Sequence, residues 1–244
     1  MIYDPSKRHD FVLLFELKNA DLGGVYDLTP EGSSGEVKYG LVTDGAFKGL
    51  ISACAARQYD LPVLIGSRGK VKSHLLRPIV RSSDPHNPLK LELCRYFFDV
   101  RLFGLTGATH IPAPMQLSSA RSVDPVLPQP PQTTAWYGLY RLQGSYDPHR
   151  GQHTGVTAFD LEVFWKTLTG LFKSNPKLLP LQMAARGLWV FSQNPQNRAT
   201  MPLLEQVQPS KISDLPQSFG DYTLRYPKPG PLEANPEVTL THWA

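Results

Sequence analysis

The sequence predicts an α+β domain, and three observations predict it. A strand-length apolar run, FVLLFELK at Phe11 to Lys18, lies near the start. Two later segments repeat apolar residues at helical spacing. Strand-length runs rich in β-branched and aromatic residues lie between and after those helices. With 244 residues and 41% hydrophobic content, the chain can build a real core as one domain, 1–244.

The elements follow in order. Phe11 to Lys18 is continuously apolar before it alternates, the pattern of a mostly buried central strand. Asn19 to Tyr39 holds Gly23, Gly24, Pro30, Gly32, Ser33, Ser34 and Gly35 and reads as a loop. Asp44 is placed to cap a helix to about Gln58, with Phe47, Leu50, Ile51, Cys54 and Ala55 on its buried face. Residues 61–95 form a basic, extended insertion interrupted by Pro62, Pro78, Pro85 and Pro88. Phe97 to Phe103, Met115 to Val123 and Trp136 to Ser145 are strand candidates, the last two separated by a stiff Pro-rich connector, 125–135. His149 and His153 are four residues apart, but Pro148, Gly151 and Gly155 predict a loop there rather than a helix that could hold a metal.

Thr157 with Asp160 makes a capping box that opens the strongest helix, whose stripe is Leu161, Phe164, Trp165, Leu168, Leu171 and Phe172. Lys173 and Asn175-Pro176 stop it. Gly187 to Gln193 is a last strong strand, and residues 209–244 form a Pro-rich C-terminal extension with one strand-like piece, Tyr222 to Tyr226. Strand, helix, several strands, helix, strand is the order of a ferredoxin-like or RRM-like domain with an insertion after its first helix.

A formal net charge of +4 suits an anionic partner. Arg68, Lys70, Lys72, Arg77, Arg81, Lys90, Arg95 and Arg101 face only Asp84, Glu92 and Asp99 within the same span, which reads either as a solvated surface or as a nucleic-acid-binding stretch. Cys54 and Cys94 stand alone, so no disulfide framework or zinc site is suggested, in keeping with a cytoplasmic protein. No signal peptide or membrane-length apolar run is visible. No G-x-G-x-x-G, P-loop, nucleophile elbow or H-E-x-x-H motif occurs, and the expectation is a non-enzyme without metal or cofactor. Asp21 and Asp27 are the only candidates for a metal-assisted RNA-cleaving loop, and they read more simply as solvated loop carboxylates.

Eight segments, taken in order, resemble a known family. They are RHDFVLLFELKNA (Arg8 to Ala20), GLVTD (Gly40 to Asp44), YFFDVRLFG (Tyr96 to Gly104), PMQLSSARSVDP (Pro114 to Pro125) and YGLYRLQGSYDPH (Tyr137 to His149), then the helix after TGVTAFDLE, AARGLWVF (Ala184 to Phe191) and PQSFGDYTL (Pro216 to Leu224). Together they resemble the guide-RNA-holding backbone subunit of type I-C CRISPR surveillance complexes, the Cas seven family of the repeat-associated mysterious protein (RAMP) superfamily. The resemblance implies an RRM-like palm with inserted finger segments and a thumb. Copies of such a subunit stack along the guide RNA (crRNA) beside other CRISPR complex subunits, and the guide pairs with target DNA. Holding any guide sequence calls for sugar and phosphate contacts, which arginine and lysine supply without reading bases.

Carried over by position, the RNA-binding candidates are Lys18, Asn19, Lys48, Arg101, Gln116, Arg121, Arg141 and His149, and the basic insertion adds Arg68, Lys70 and Lys72. Arg121 beside Asp124 and Arg101 beside Asp99 read equally as internal pairs. The chain departs from the family pattern in three places: the ADLGGVYDLTPEGSSGE loop, the uncharged Gly49 to Ser52 after Lys48, and the connector 125–135 where the thumb is expected. A shortened variant with a reduced or missing thumb follows. The alternative is a family-derived interaction protein that caps or inhibits complex assembly.

Overall fold

The structure, a computed structural model, describes residues 1–21, 29–31, 39–65, 88–106, 110–126, 128–129, 134–171, 182–196 and 202–243. The apolar run becomes β1 (Arg8–Asp21), the centre of a ten-stranded antiparallel sheet. The other members are β2 (Thr29–Glu31), β3 (Tyr39–Val42), β4 (Met115–Leu117), β5 (Ala120–Ser122), β6 (Pro128–Gln129), β7 (Thr134–Tyr146), β8 (Gln182–Gln193), β11 (Gly230–Leu232) and β12 (Asn235–Trp243). β9 (Gln208–Lys211) and β10 (Tyr222–Arg225) pair as a separate hairpin. The helices are α1 (Asp44–Tyr59), α2 (Pro88–Tyr96), α3 (Phe98–Phe103), α4 (Pro148–Thr154) and α5 (Ala158–Gly170). Within the sheet the neighbours run β8, β1, β7, β5. With α1 after β1 and α5 after β7, that is the ferredoxin-like and RRM-like palm.

The middle of β1, Phe11 to Phe15, is continuously apolar because both of its faces are covered. Phe11, Leu13, Phe15 and Leu17 share a core with Phe47, Leu50 and Ile51 of α1 and Leu161, Phe164, Trp165 and Leu168 of α5. Val12 and Leu14 join Leu139, Trp189 and Phe191 on the opposite face, beneath Leu203, Val207, Tyr222, Val238 and Leu240. Each such side chain contributes about 1.5–3 kcal/mol by leaving water, so two covered faces outweigh the entropy of fixing a long strand. The capping box is present: Thr157 Oγ1 accepts the Asp160 N–H at 3.2 Å, and Asp160 Oδ2 accepts the Thr157 N–H at 2.8 Å. Among the described residues no helix is long and apolar enough to cross a membrane.

Several expectations are corrected. Phe97 to Phe103 is helical in α3, not a strand, because tertiary contacts override its β propensity. The buried Asp99 carboxylate accepts the N–H groups of Leu64 and Ile65 while Phe98, Val100, Leu102 and Phe103 all bury, and Gly104 ends the helix at φ 66°. Part of the insertion expected to be irregular is α2, which starts at Pro88, where a missing N–H costs nothing. The His149 segment is a helix, not a loop. Asp147 caps it, Pro148 opens it and Gly155 stops it in the left-handed region at φ 80°, so residues taken as loop marks are start and stop signals.

Thr43, not Asp44, caps α1, its hydroxyl accepting the Ala46 N–H at 3.2 Å. Thr29 to Glu31 pairs with β3 inside what reads as loop, and Pro30 is tolerated because β2 is an edge. Ser118 and Ser119 split the Met115 to Val123 segment into β4 and β5. The C-terminal extension contributes β12, paired to β8 from Thr239↔Ser192 to Trp243↔Leu188, which the proline content concealed. The helix stop at Lys173 to Pro176, with Phe172, lies outside the described residues.

Candidate nucleic-acid interface

β7 alternates cleanly. Tyr140, Leu142, Gly144 and Tyr146 are buried toward the helices, and Arg141, Gln143 and Ser145 are half-buried on the other face. β5 sets Arg121 directly opposite Arg141, and β4 sets Gln116 opposite Ser145. Ser118 Oγ accepts the Gln143 N–H at 3.1 Å and ties the break between β4 and β5 to this face. Gln208, Pro209 and Ser210 of β9 form the far wall of an open cleft of about 530 Å³ that both arginines line.

Like charges directly opposite on a sheet repel, at a cost of up to about 1 kcal/mol, and an anion between them reverses the sign. Both guanidiniums are held in place. Arg121 lies 4.4 Å over the Tyr39 ring, and Arg141 donates to the Leu204 carbonyl. Burial pushes the Arg141 guanidinium down from its ordinary range, and the Glu205 carboxylate acts against that shift. Ser122 Oγ accepts the Gly40 N–H at 2.9 Å and donates to the Asp124 carbonyl at 2.7 Å, pinning β5 to β3. At the rim, Lys211 Nζ stands 3.9 Å from Asp124. Two positioned guanidiniums among neutral amides and hydroxyls can hold phosphate and sugar without selecting a base.

Of the candidates from sequence, Arg121 and Arg141 are brought together in the cleft, and Gln116 lies on the same sheet face, opposite Ser145. Lys18 lies on the same sheet face at the far end of β1, opposite Tyr137, beyond the apolar residues that cover the middle. There it shares the buried Glu16 with Arg186, its Nζ 3.8 Å from the carboxylate, instead of standing alone at a strand end. Lys48 sits on α1, on the opposite side of the sheet, with Nζ 2.7 Å from Asp44.

Arg101 is paired internally, and its partner is Asp160 rather than the expected Asp99. It makes a two-pronged pair with Asp160 at 2.6 and 3.0 Å and donates to the Cys94 carbonyl at 2.7 Å. His149 is exposed on α4, away from the arginine cleft, its ring 4.7 Å from His153. Among the described residues, no group of three or more His, Cys, Asp or Glu is placed to hold a metal ion. Asp27, Arg68, Lys70 and Lys72 lie outside the described residues, as do the side chains of Asn19 and Asp21. Sequence reasoning missed Tyr39, Ser118, Gln143 and Gln208. Gln143 had a signal, since Arg141, Gln143 and Ser145 recur at every second residue of one strand.

Among solved structures, the chain is similar to a chain of the Csm3-Csm4 subcomplex in the type III-A CRISPR-Cas interference complex, at 13% identity over 76% of this chain and 79% of that one, with a TM-score of 0.43. It is also similar to a chain of a CRISPR RNA-guided surveillance complex in its pre-nicking state, at 12% identity over 75% of each chain and a TM-score of 0.46. A further CRISPR RNA-guided surveillance complex matches at 10% identity over 84% of this chain and 77% of that one, with a TM-score of 0.45. A search of curated proteins finds no match. The family model for CRISPR-associated protein Cas7 matches residues 7–136 and 131–227, stretches that take in β1, β5, β7 and β9 and therefore both walls of the arginine cleft. The chain belongs to the CRISPR-associated protein Cas7 family.

Proposed function

We propose that the chain binds CRISPR guide RNA without cutting it, as a backbone subunit of a type I-C-like surveillance complex in the cytoplasm. Several copies lie along one guide beside other subunits, and the guide is left free to pair with target DNA. The observation that carries this is the cross-strand pair Arg121 and Arg141 on the open polar face of a Cas7-family palm. Their chemistry suits a backbone-holding role, because contacts to phosphate and sugar leave base edges available. In this reading the chain is a shortened member, with the connector 125–135 in place of a full thumb.

Co-expression with a CRISPR array and neighbouring subunits tests it. The expected product is one guide-length RNA carrying several copies of the chain, read by mass and by extraction of the RNA. A second reading, a subunit that caps or inhibits assembly, is favoured by the internal pairing of Arg101 and Lys48, which leaves fewer cations for phosphate. A single copy bound to other subunits without RNA is the result that selects it.

The arginine pair makes a separate prediction. Replacing Arg121 and Arg141 together by glutamine removes two phosphate contacts, so the slope of log affinity against log salt for single-stranded RNA should flatten by about 1.4. At 0.1 M salt that amounts to an affinity loss of about 25-fold, shrinking toward nothing near 1 M. An unchanged slope, measured by fluorescence anisotropy, rules out phosphate contact at this pair.

A further inference from the structure

Beside the arginine cleft lies a second one, of about 470 Å³, lined by Pro202, Glu205, Gln206, Gln208, Arg225 and Tyr226 together with Pro227. The two clefts share Gln208 as a common wall, and Arg225 stands directly opposite Gln208 on the paired strand β10. Their chemistry differs. The first offers two guanidiniums among hydroxyls, whereas the second offers an aromatic face, two carboxamides, the carboxylate of Glu205 and the single guanidinium of Arg225.

Tyr226 is 38% exposed, although its ring rests against two others. It lies 5.2 Å from the fully buried Trp189 and 5.1 Å from His242, which themselves stack at 4.7 Å with planes 14° apart. Tyr226 is thus the outer ring of a preassembled aromatic group, held rigid from behind and open in front. Glu205 opposes a phosphate in this cleft, and its carboxylate, like the two glutamines, suits the edge of an aromatic base. A ring platform next to a cationic track is the arrangement by which single strands are held.

We propose that the Tyr226 cleft takes one nucleobase of the same RNA strand whose phosphates lie between Arg121 and Arg141. The base stacks on Tyr226 and presents its edge to Gln206, Gln208 and Glu205, and Arg225 neutralises a phosphate beyond it. This rests on the nucleic-acid reading of the arginine cleft and adds a neutral, stacking contact to it.

The test uses the purified full chain and a 12-nucleotide single-stranded RNA, roughly the length that one binding module covers. Tyr226→Ala should weaken binding about tenfold at every salt concentration without changing the salt slope, and Tyr226→Phe should bind as the wild type does. Moving one abasic residue along the RNA should produce a comparable loss at one register for the wild type, and no loss at any register for Tyr226→Ala. Tyr226→Ala binding as tightly as the wild type, or equal losses for Phe and Ala, overturns the base subsite. Should the Arg121/Arg141 variant keep its slope while Tyr226→Ala loses affinity, the base subsite stands and the phosphate track lies elsewhere. No binding of RNA by the wild type removes both readings.

Discussion

Replacing Arg101 by alanine is expected to destabilise the chain by about 3–5 kcal/mol, seen as a large drop in the urea midpoint. The Arg101 side chain is only 15% exposed and Asp160 only 1%. Its guanidinium joins two elements distant in sequence, the ends of α2 and the start of α5. Nε and Nη2 hold the Asp160 carboxylate, and Nη1 holds the Cys94 and Arg95 carbonyls at 2.7 and 3.2 Å. Those carbonyls belong to the last turn of α2, and the Phe98 N–H that would continue the helix onto Cys94 bonds to the Pro62 carbonyl instead.

Removing the guanidinium leaves a buried carboxylate with half its partners and two unsatisfied carbonyls, a larger loss than the attraction it deletes. The same carboxylate closes the capping box of α5, so the damage spreads to the helix that roofs the core. Arg101→Lys retains the charge but cannot span the carboxylate and both carbonyls, and should fall between the wild type and alanine. An RNA-contacting arginine would behave in the opposite way, lowering affinity while leaving stability alone. A urea midpoint for Arg101→Ala equal to that of the wild type is incompatible with the structural role.

Acid is expected to weaken the fold through His9. Burial lowers the pKa of this ring to about 4, against an ordinary value near 6.5, although its bond to the Asp4 carbonyl and the charges of Asp4 and Asp10 pull upward. The ring is fully buried between Ser192 Oγ at 2.8 Å and the Asp4 carbonyl at 2.9 Å, and packs against Tyr146 and Trp165. Between these two pKa values the unfolded chain binds a proton that the folded chain refuses, so stability rises with pH. The contribution is intact above pH 6.5 and is lost as pH falls toward 4, by about 3 kcal/mol in all. Comparing urea unfolding of the wild type and His9→Gln at pH 7.5 and 4.5 isolates it. The variant should lose about 2–3 kcal/mol less on acidification, and an equal loss in both removes His9 as the cause.

Much of the fold was legible because the strongest signals were local. An apolar run covered on both faces, a capping box and a strand alternating Arg141, Gln143 and Ser145 all write their environment into adjacent residues. What could not be read depends on distant partners. The FDVRLF segment has strand-like composition, yet it is a helix whose buried Asp99 carboxylate is held by the N–H groups of Leu64 and Ile65, far away in sequence. The sequence assigns Arg101 to RNA or to Asp99, because Asp160, its partner, is 59 residues away.

The arginine cleft was half visible. Arg121 and Arg141 are candidates from sequence, yet nothing local says that they face each other, since that follows from strand register. Nor does any local pattern bring Gln208 from the Pro-rich extension to the wall of the same cleft.

The position of β12 sets an order of events for folding. β8 lies between β1 and β12, so one side of it is satisfied by residues made first and the other by Asn235–Trp243, made nearly fifty residues after it. Until those residues leave the ribosome, β8 presents an open row of main-chain donors and acceptors, and Trp189 and Phe191 lack part of their cover. A nascent chain with such an edge is exposed to pairing with its neighbours on a polysome.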